Sequence, residues 1–281
     1  MEATPKRPAL RYFGGKWRLA PWIIKHFPPH RIYTEVFGGA ASVLLRKPRS
    51  YAEVYNDLDG EVVNLFRVLQ EPQKAEILEN LLRITPFARS EYELAKLPCE
   101  GEVERARRLI IRSFMGFGSN SSKLGSKSSF RSNTSRSGTI PAHDWANYAD
   151  ALPAIIARFR GVVIENRDAI KVLLAHDSPE TLHYVDPPYL HETRSSRHRY
   201  DFELREGDHV KLAETLKTLS GMVILSGYPS ALYDDLYRGW NFVSREGFSD
   251  GAHRRMERLW FNAAAWGAQN ERTFLQIVMR K

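Results

Sequence analysis

The chain has 281 residues, enough for one large α/β domain or for a domain with a substantial insertion. Its 41 Lys and Arg against 33 Asp and Glu leave a formal charge of +8, which suits a polyanionic partner. One cysteine, Cys99, excludes an intrachain disulfide and a multi-cysteine zinc site, and no run reaches the ~18 to 20 apolar residues that cross a bilayer. The start, Met1-Glu2-Ala3-Thr4-Pro5-Lys6, lacks the apolar core of a signal peptide, so a cytoplasmic protein is expected.

In chain order, Arg11-Tyr12-Phe13-Gly14-Gly15-Lys16 is a small-residue turn without P-loop spacing. Residues 32–37 predict a strand that enters a glycine turn, Gly38-Gly39-Ala40-Ala41-Ser42, and then a helix. A second strand is predicted over 52–55. Asp59 is placed to cap a helix whose Val62, Leu65, Phe66 and Leu69 share one face. Leu78, Leu81 and Leu82 continue that pattern one helix later, and 104–114 is helical as well. Further strands are predicted over 162–164, 182–185, 222–225, 257–262 and 273–279. Strands alternating with helices predict a doubly wound α/β sheet.

Residues 71–155 interrupt the alternation. Within them, 116–138 is rich in Ser, Gly and Asn and carries Lys123, Lys127, Arg131 and Arg136 with no acid. Such a composition cannot bury a core and predicts a flexible loop. A plain linker is one reading. The other is a loop that orders on nucleic acid, with Phe114, Phe117 and Phe130 as wedges or stacking faces.

Three motifs carry chemistry. Asp186-Pro187-Pro188-Tyr189 follows the apolar run Leu182-His183-Tyr184-Val185. Proline fixes φ near −65° and extends its predecessor, so this loop is stiff and presents a carboxylate, prolyl carbonyls and one aromatic face. Asp186 and a prolyl carbonyl can each accept one N–H, which fits an amino group on a flat ring. At Gly38-Gly39-Ala40 the missing side-chain bulk lets a ligand approach the backbone. Asp57, eighteen positions after Gly39 and beyond the second strand, stands where dinucleotide folds place the acid that binds a ribose hydroxyl. The full Gly-x-Gly-x-x-Gly cradle is missing, which favours a ligand with a ribose but no pyrophosphate. S-adenosylmethionine is one, and Glu35 suits its charged methionine end.

Together, in this order, Phe13-Gly14-Gly15-Lys16, Glu35-Val36-Phe37-Gly38-Gly39-Ala40-Ala41-Ser42 and Asp186-Pro187-Pro188-Tyr189 resemble the Dam-like, D12-class, alpha-group DNA adenine N6-methyltransferases of bacteria and phages. Ser226-Gly227-Tyr228 and Glu257-Arg258-Leu259-Trp260-Phe261-Asn262 resemble later segments of the same family. The resemblance implies a Rossmann-like methyltransferase sheet, mostly parallel with an antiparallel strand near the C-terminus, formed by 1–70 and 156–281. It implies an inserted helical target-recognition region over 71–155 with its flexible basic loop at 116–138.

It also implies an S-adenosylmethionine-dependent, site-specific enzyme that methylates N6 of an adenine flipped out of double-stranded DNA, with no metal and no obligatory protein partner. Asp186, Pro187 and Tyr189 would be catalytic. Tyr12, which stands where the family usually has tryptophan, and Lys16 would line the donor pocket with Glu35, Phe37, Gly38, Gly39, Ala40, Asp57 and Asp168. By charge and position, Arg194, Arg197 and Arg199 just after the acidic loop read either as a solvated loop or as grips on the phosphates beside the extruded nucleotide, joined in DNA binding by Lys123, Lys127, Arg131 and Arg136. Alternatives are cytosine N4 methylation, which more often has Ser before Pro-Pro-Tyr, and a non-catalytic DNA-binding protein that retains the fold. Pro98-Cys99 is similar to the nucleophile dipeptide of cytosine C5 methyltransferases, but it lies far from any glycine-rich strand end and reads as an ordinary residue.

Overall fold

The computed structural model describes residues 4–134, 139–190, 203–248 and 254–278. Among these, seven strands form one sheet: β1 Ile32–Glu35, β2 Ala52–Asn56, β3 Val163–Glu165, β4 Thr181–Val185, β5 Met222–Gly227, β6 Asn241–Phe248 and β7 Arg254–Phe261. Their lateral order is β3-β2-β1-β4-β5-β7-β6. β1 runs parallel to β2 and β4, and β4 parallel to β5. β7 is antiparallel to both β5 and β6. This is the expected Rossmann-like, doubly wound sheet, mostly parallel with antiparallel pairing near the C-terminus. β4 and β5 are buried along their whole length, as central parallel strands covered on both faces are, and their polar residues Thr181, His183 and Ser226 are buried with them.

The helices are α1 Ala20–Lys25, α2 Gly60–Gln70, α3 Pro72–Ile84, α4 Arg89–Ala95, α5 Glu102–Met115, α6 Pro141–Ala146, α7 Leu152–Phe159, α8 Ala169–Ala175, α9 Glu206–Thr218, α10 Ala231–Leu236 and α11 Ala263–Val278. Asp59 caps α2 as expected, accepting from the Glu61 amide at 2.9 Å.

Two expectations fail. Where a strand is predicted over 273–279, the described residues 273–278 are instead the end of α11. Its β-branched and aromatic residues mimic a strand, but Asn262 starts a helix ahead of them by accepting from the Ala265 amide at 2.9 Å, and an alanine run propagates it. The helix expected after the glycine turn is also missing. Hydrogen-bonded turns occupy 39–46, because Ala41 sits at φ 51°, which no regular α-helix accepts. β6 had not been predicted at all.

By contact the chain divides into two compact units. One comprises Met1–Ala20, Gly39–Lys47 and Asp59–Asn166; the other comprises Pro21–Gly38, Pro48–Leu58 and Arg167–Lys281. The helical unit therefore takes in α2, two earlier segments and 156–166, which include the end of α7 and β3, in addition to 71–155. Its interior joins α2, α5 and α7, with the Phe66 and Phe159 rings stacked at 4.3 Å. The core of the other unit packs Val36, Val54, Val185, Val223 and Leu225 with Val172, Leu173, Leu212 and Leu216.

The basic loop also departs from its composition. Phe117 donates its amide to the Ser129 carbonyl at 2.8 Å, and Arg131 donates its amide to Met115 at 2.8 Å. From α5, the buried Arg112 donates to the carbonyls of Ser122 at 2.9 Å and Ala95 at 2.8 Å. Guanidinium-to-carbonyl bonds here do what an apolar core does elsewhere.

Candidate active site

The lateral order reverses between β1 and β4: the chain moves outward to β2 and β3 on one side, then to β4 and β5 on the other. In open α/β sheets ligands bind outside the carboxyl ends of the strands at such a reversal. Glu35 of β1 lies in register with Tyr184 of β4, so Val36-Phe37-Gly38 and Val185-Asp186-Pro187 leave the sheet from adjacent strand ends. The Glu35–Gly38 segment and the acidic loop, far apart in sequence, are brought together in one unit by this pairing.

Asp186 is half-buried and Pro187 buried. Val185 pairs with Leu225, which sets Asp186 beside Ser226 of β5. The Ser226 hydroxyl donates to Asp186 Oδ1 at 2.7 Å and lies 3.0 Å from the Tyr184 hydroxyl. Tyr189, also buried, donates its hydroxyl to the buried Glu257 of β7, and its ring meets Tyr228 edge-on at 4.7 Å. Burial first, then the charges of Asp186 and Glu257, push the Tyr189 phenol well above its ordinary pKa, so it stays a neutral donor. Motif reading had assigned Ser226, Tyr184 and Glu257 no role. For Tyr184 and Ser226 the signal was a polar group inside or closing a largely apolar strand, which demands a partner when buried; Glu257, among the arginines of β7, gave no such signal.

At the end of β1, Glu35 is 3 % exposed and accepts from the Tyr33 hydroxyl at 2.7 Å. A Cβ added to Gly38 would lie 2.2 Å from the Tyr55 ring, so only glycine fits there. Asn56 ties this corner together, donating to the carbonyls of Val36 at 2.9 Å and Arg167 at 3.0 Å while accepting from the Arg167 amide at 2.9 Å. It had not been singled out in the sequence. Asp57 follows, half-buried at the carboxyl end of β2. Bare backbone at Gly38, a buried carboxylate at Glu35 and a half-buried one at Asp57 form a donor set that fits a ligand with a cationic end and a diol, as S-adenosylmethionine has. Phe37 is half-buried at the same strand end. Asp168 is exposed and caps α8, accepting from the Lys171 amide at 3.2 Å, a structural task that by itself accounts for an acid at this position.

Tyr12, Lys16, Gly39 and Ala40 belong to the other unit. Gly39 has φ +46°, and a Cβ there would come within 3.0 Å of the Tyr12 ring. The ring therefore lies on bare backbone. Lys16 is buried and donates to the Gly14 carbonyl at 3.1 Å, closing the turn in which Gly15 donates its amide to Tyr12.

Of the basic residues, Lys127 is exposed and Lys123 half-buried. Arg131 is only 9 % exposed and donates to the Phe114 carbonyl at 3.1 Å, so its guanidinium serves the interior of its unit. Arg136, Arg194, Arg197 and Arg199 lie outside the described residues. Of the three phenylalanines, Phe114 is buried and Phe130 packs on Phe87 at 4.9 Å, whereas Phe117 is 69 % exposed. Among the described residues no three His, Cys, Asp or Glu side chains cluster as metal ligands would, and no helix is long and apolar enough to cross a membrane.

No curated protein matches the chain in sequence. A family model does, described as D12 class N6 adenine-specific DNA methyltransferase, over residues 12–250, a span that contains all three motifs and the strand reversal. On that match the chain belongs to the D12 class of N6 adenine-specific DNA methyltransferases.

Proposed function

We propose that the chain takes a methyl group from S-adenosylmethionine and places it on the exocyclic N6 of an adenine flipped out of a specific site in double-stranded DNA. The observation that carries this reading is the adjacency at the strand reversal. Asp186 leaves β4 beside the Glu35 end of β1, with its carboxylate already held by Ser226.

The target nitrogen is a poor nucleophile because its lone pair is delocalised into the purine. Asp186 accepts one N–H and the Pro187 carbonyl accepts the other, which draws the nitrogen toward a tetrahedral form and frees the lone pair. Proline geometry fixes the Pro187 carbonyl and Ser226 holds the Asp186 carboxylate before the base arrives, so little reorganisation is needed at a near-attack distance of ~3 to 3.5 Å. Glu35 and Asp57 hold the donor's cationic end and its ribose. The bound donor supplies an electrophilic methyl on a cationic sulfur. Extrusion of the base costs a few kcal/mol. Stacking on Tyr189 offsets about 1 to 3 kcal/mol of that. Lys127, Lys123 and the exposed Phe117 serve DNA binding in the recognition region, together with Arg194, Arg197 and Arg199.

The test is methyl transfer from labelled S-adenosylmethionine into duplex DNA, followed by nucleoside analysis. Label is expected in N6-methyladenine, and Asp186→Ala should abolish it while leaving donor binding and folding largely intact. Label in N4-methylcytosine, or full turnover by Asp186→Ala, overturns the reading.

A further inference from the structure

Asp186 sits on a stiff loop, but stiffness of the backbone does not orient a carboxylate. Its χ2 torsion is broad and twofold, so the plane of the two oxygens must be set by a contact. Ser226 supplies one. It is fully buried on the neighbouring strand, and its Oγ lies 2.7 Å from Asp186 Oδ1 against 3.4 Å from the Val185 carbonyl. A hydroxyl has a single proton, and an O–H bond to a carboxylate at this length is the charge-assisted, stronger kind. The proton therefore goes to Asp186. That leaves the Ser226 oxygen as an acceptor, and the Tyr184 hydroxyl 3.0 Å away becomes the donor to it. Tyr184 is itself 1 % exposed, and burial keeps its phenol protonated. The order Tyr184 to Ser226 to Asp186 is thus forced, and each bond polarises the next.

We propose that Ser226 is a positioning residue for methyl transfer: by holding Oδ1 it sets the plane of the Asp186 carboxylate and so aims that group at the amino nitrogen of the base. Tyr184 acts through Ser226, fixing the rotation of its hydroxyl. The inference rests on the reading of Asp186 as the acceptor of the target N–H. Neither Ser226 nor Tyr184 touches donor or DNA in this scheme, so both alter the rate and not the binding of either.

Three variants and one control test this. Ser226→Ala should lower kcat roughly 10- to 100-fold, the range expected when a reacting group is held about 1 Å out of place. Its dissociation constants for S-adenosylmethionine and for duplex DNA should match those of the unaltered chain. Tyr184→Phe should give a smaller loss, and the double variant should be no slower than Ser226→Ala, because the Tyr184 hydroxyl bonds to the serine and acts on the carboxylate through it. Ser226→Ala orphans the buried Tyr184 hydroxyl. If that prevents folding, the double variant, which removes both polar groups, carries the kcat measurement. Unchanged kcat in a folded variant lacking the serine hydroxyl overturns the proposal, as do losses that multiply in the double variant. Asp186→Ala run in parallel separates the two levels. If it keeps turnover, the catalytic reading itself falls; if it is inactive while Ser226→Ala is not, the positioning role alone falls.

Discussion

Tyr189 gives its hydroxyl to Glu257, a carboxylate buried on β7 at 4 % exposure, while the Tyr228 ring meets it edge-on at 72°. A loop of Asp-Pro-Pro-Tyr is stiff in its backbone, but the direction of the tyrosine ring is set by these two contacts, one from β7 and one from the residue that follows β5. Tyr189→Phe keeps the ring and removes one charge-assisted bond to Glu257. It should cost about 1.5 to 3 kcal/mol of stability, read by denaturant unfolding, with methyl transfer retained. Tyr189→Ala removes the stacking face, and kcat/KM should fall roughly 10- to 100-fold. Equal activity losses in the two variants would show that the hydroxyl, and not the face, serves the reaction.

Asp57 stands half-buried beyond β2, next to the Asn56 staple that fixes the ends of β1 and β2. Hydrogen bonds from a ribose diol to a carboxylate are worth about 1.5 to 3 kcal/mol, so Asp57→Ala should weaken S-adenosylmethionine binding roughly 10- to 100-fold. Titration calorimetry reads this directly. Unaltered affinity would move the ribose site elsewhere. Asp168→Ala offers a contrast, since loss of a helix cap should cost about 1 kcal/mol of stability.

The basic loop separates into two kinds of cation. Lys127 is exposed and Arg131 is spent on the Phe114 carbonyl. Lys127→Ala should therefore reduce the slope of log affinity for DNA against log salt by about 1, with no change in melting temperature. Arg131→Ala should lower the melting temperature, because a buried carbonyl loses its donor. An identical salt slope after Lys127→Ala would place the DNA path away from this loop.

Much of the fold was legible because its strands are short apolar runs closed by polar or glycine residues, and because Asp59 is a helix cap in sequence as in space. The acidic loop and the glycine turn were legible for the same reason: their residues are unusual at strand ends. What sequence concealed is lateral. Nothing in 182–189 says that Ser226 and Glu257 will lie beside it, because that depends on the register of β5 and β7. Composition misled in the basic loop, where the buried Arg112 and Arg131 donate to the carbonyls of Ser122 and Phe114, and at 273–278, where the cap at Asn262 had already committed the chain to helix.

A buried histidine makes stability depend on pH. His183 on β4 is fully buried, and burial above all holds its pKa below the ordinary 6.5, against the opposing pull of Asp177. Its Nε2 faces Asp177 Oδ1 at 3.2 Å and its Nδ1 faces Thr34 Oγ1 at 2.8 Å. A carboxylate only accepts, so the neutral ring carries its proton on Nε2 and Thr34 donates to Nδ1. Below the unfolded value the unfolded chain takes a proton that the folded chain refuses, so stability falls as pH drops through 6.5. Asp177 adds a second step in the same direction. Burial works to raise its pKa, but hydrogen bonds from Ser220, Gly221 and His183 hold it below 3.8, and its contribution is present above that value and lost as pH falls further. His183→Gln keeps an N–H donor for Asp177 and cannot titrate. Its melting temperature should fall less than that of the unaltered chain between about pH 7 and about pH 5. If both lose the same amount over that interval, the acid sensitivity resides in other groups.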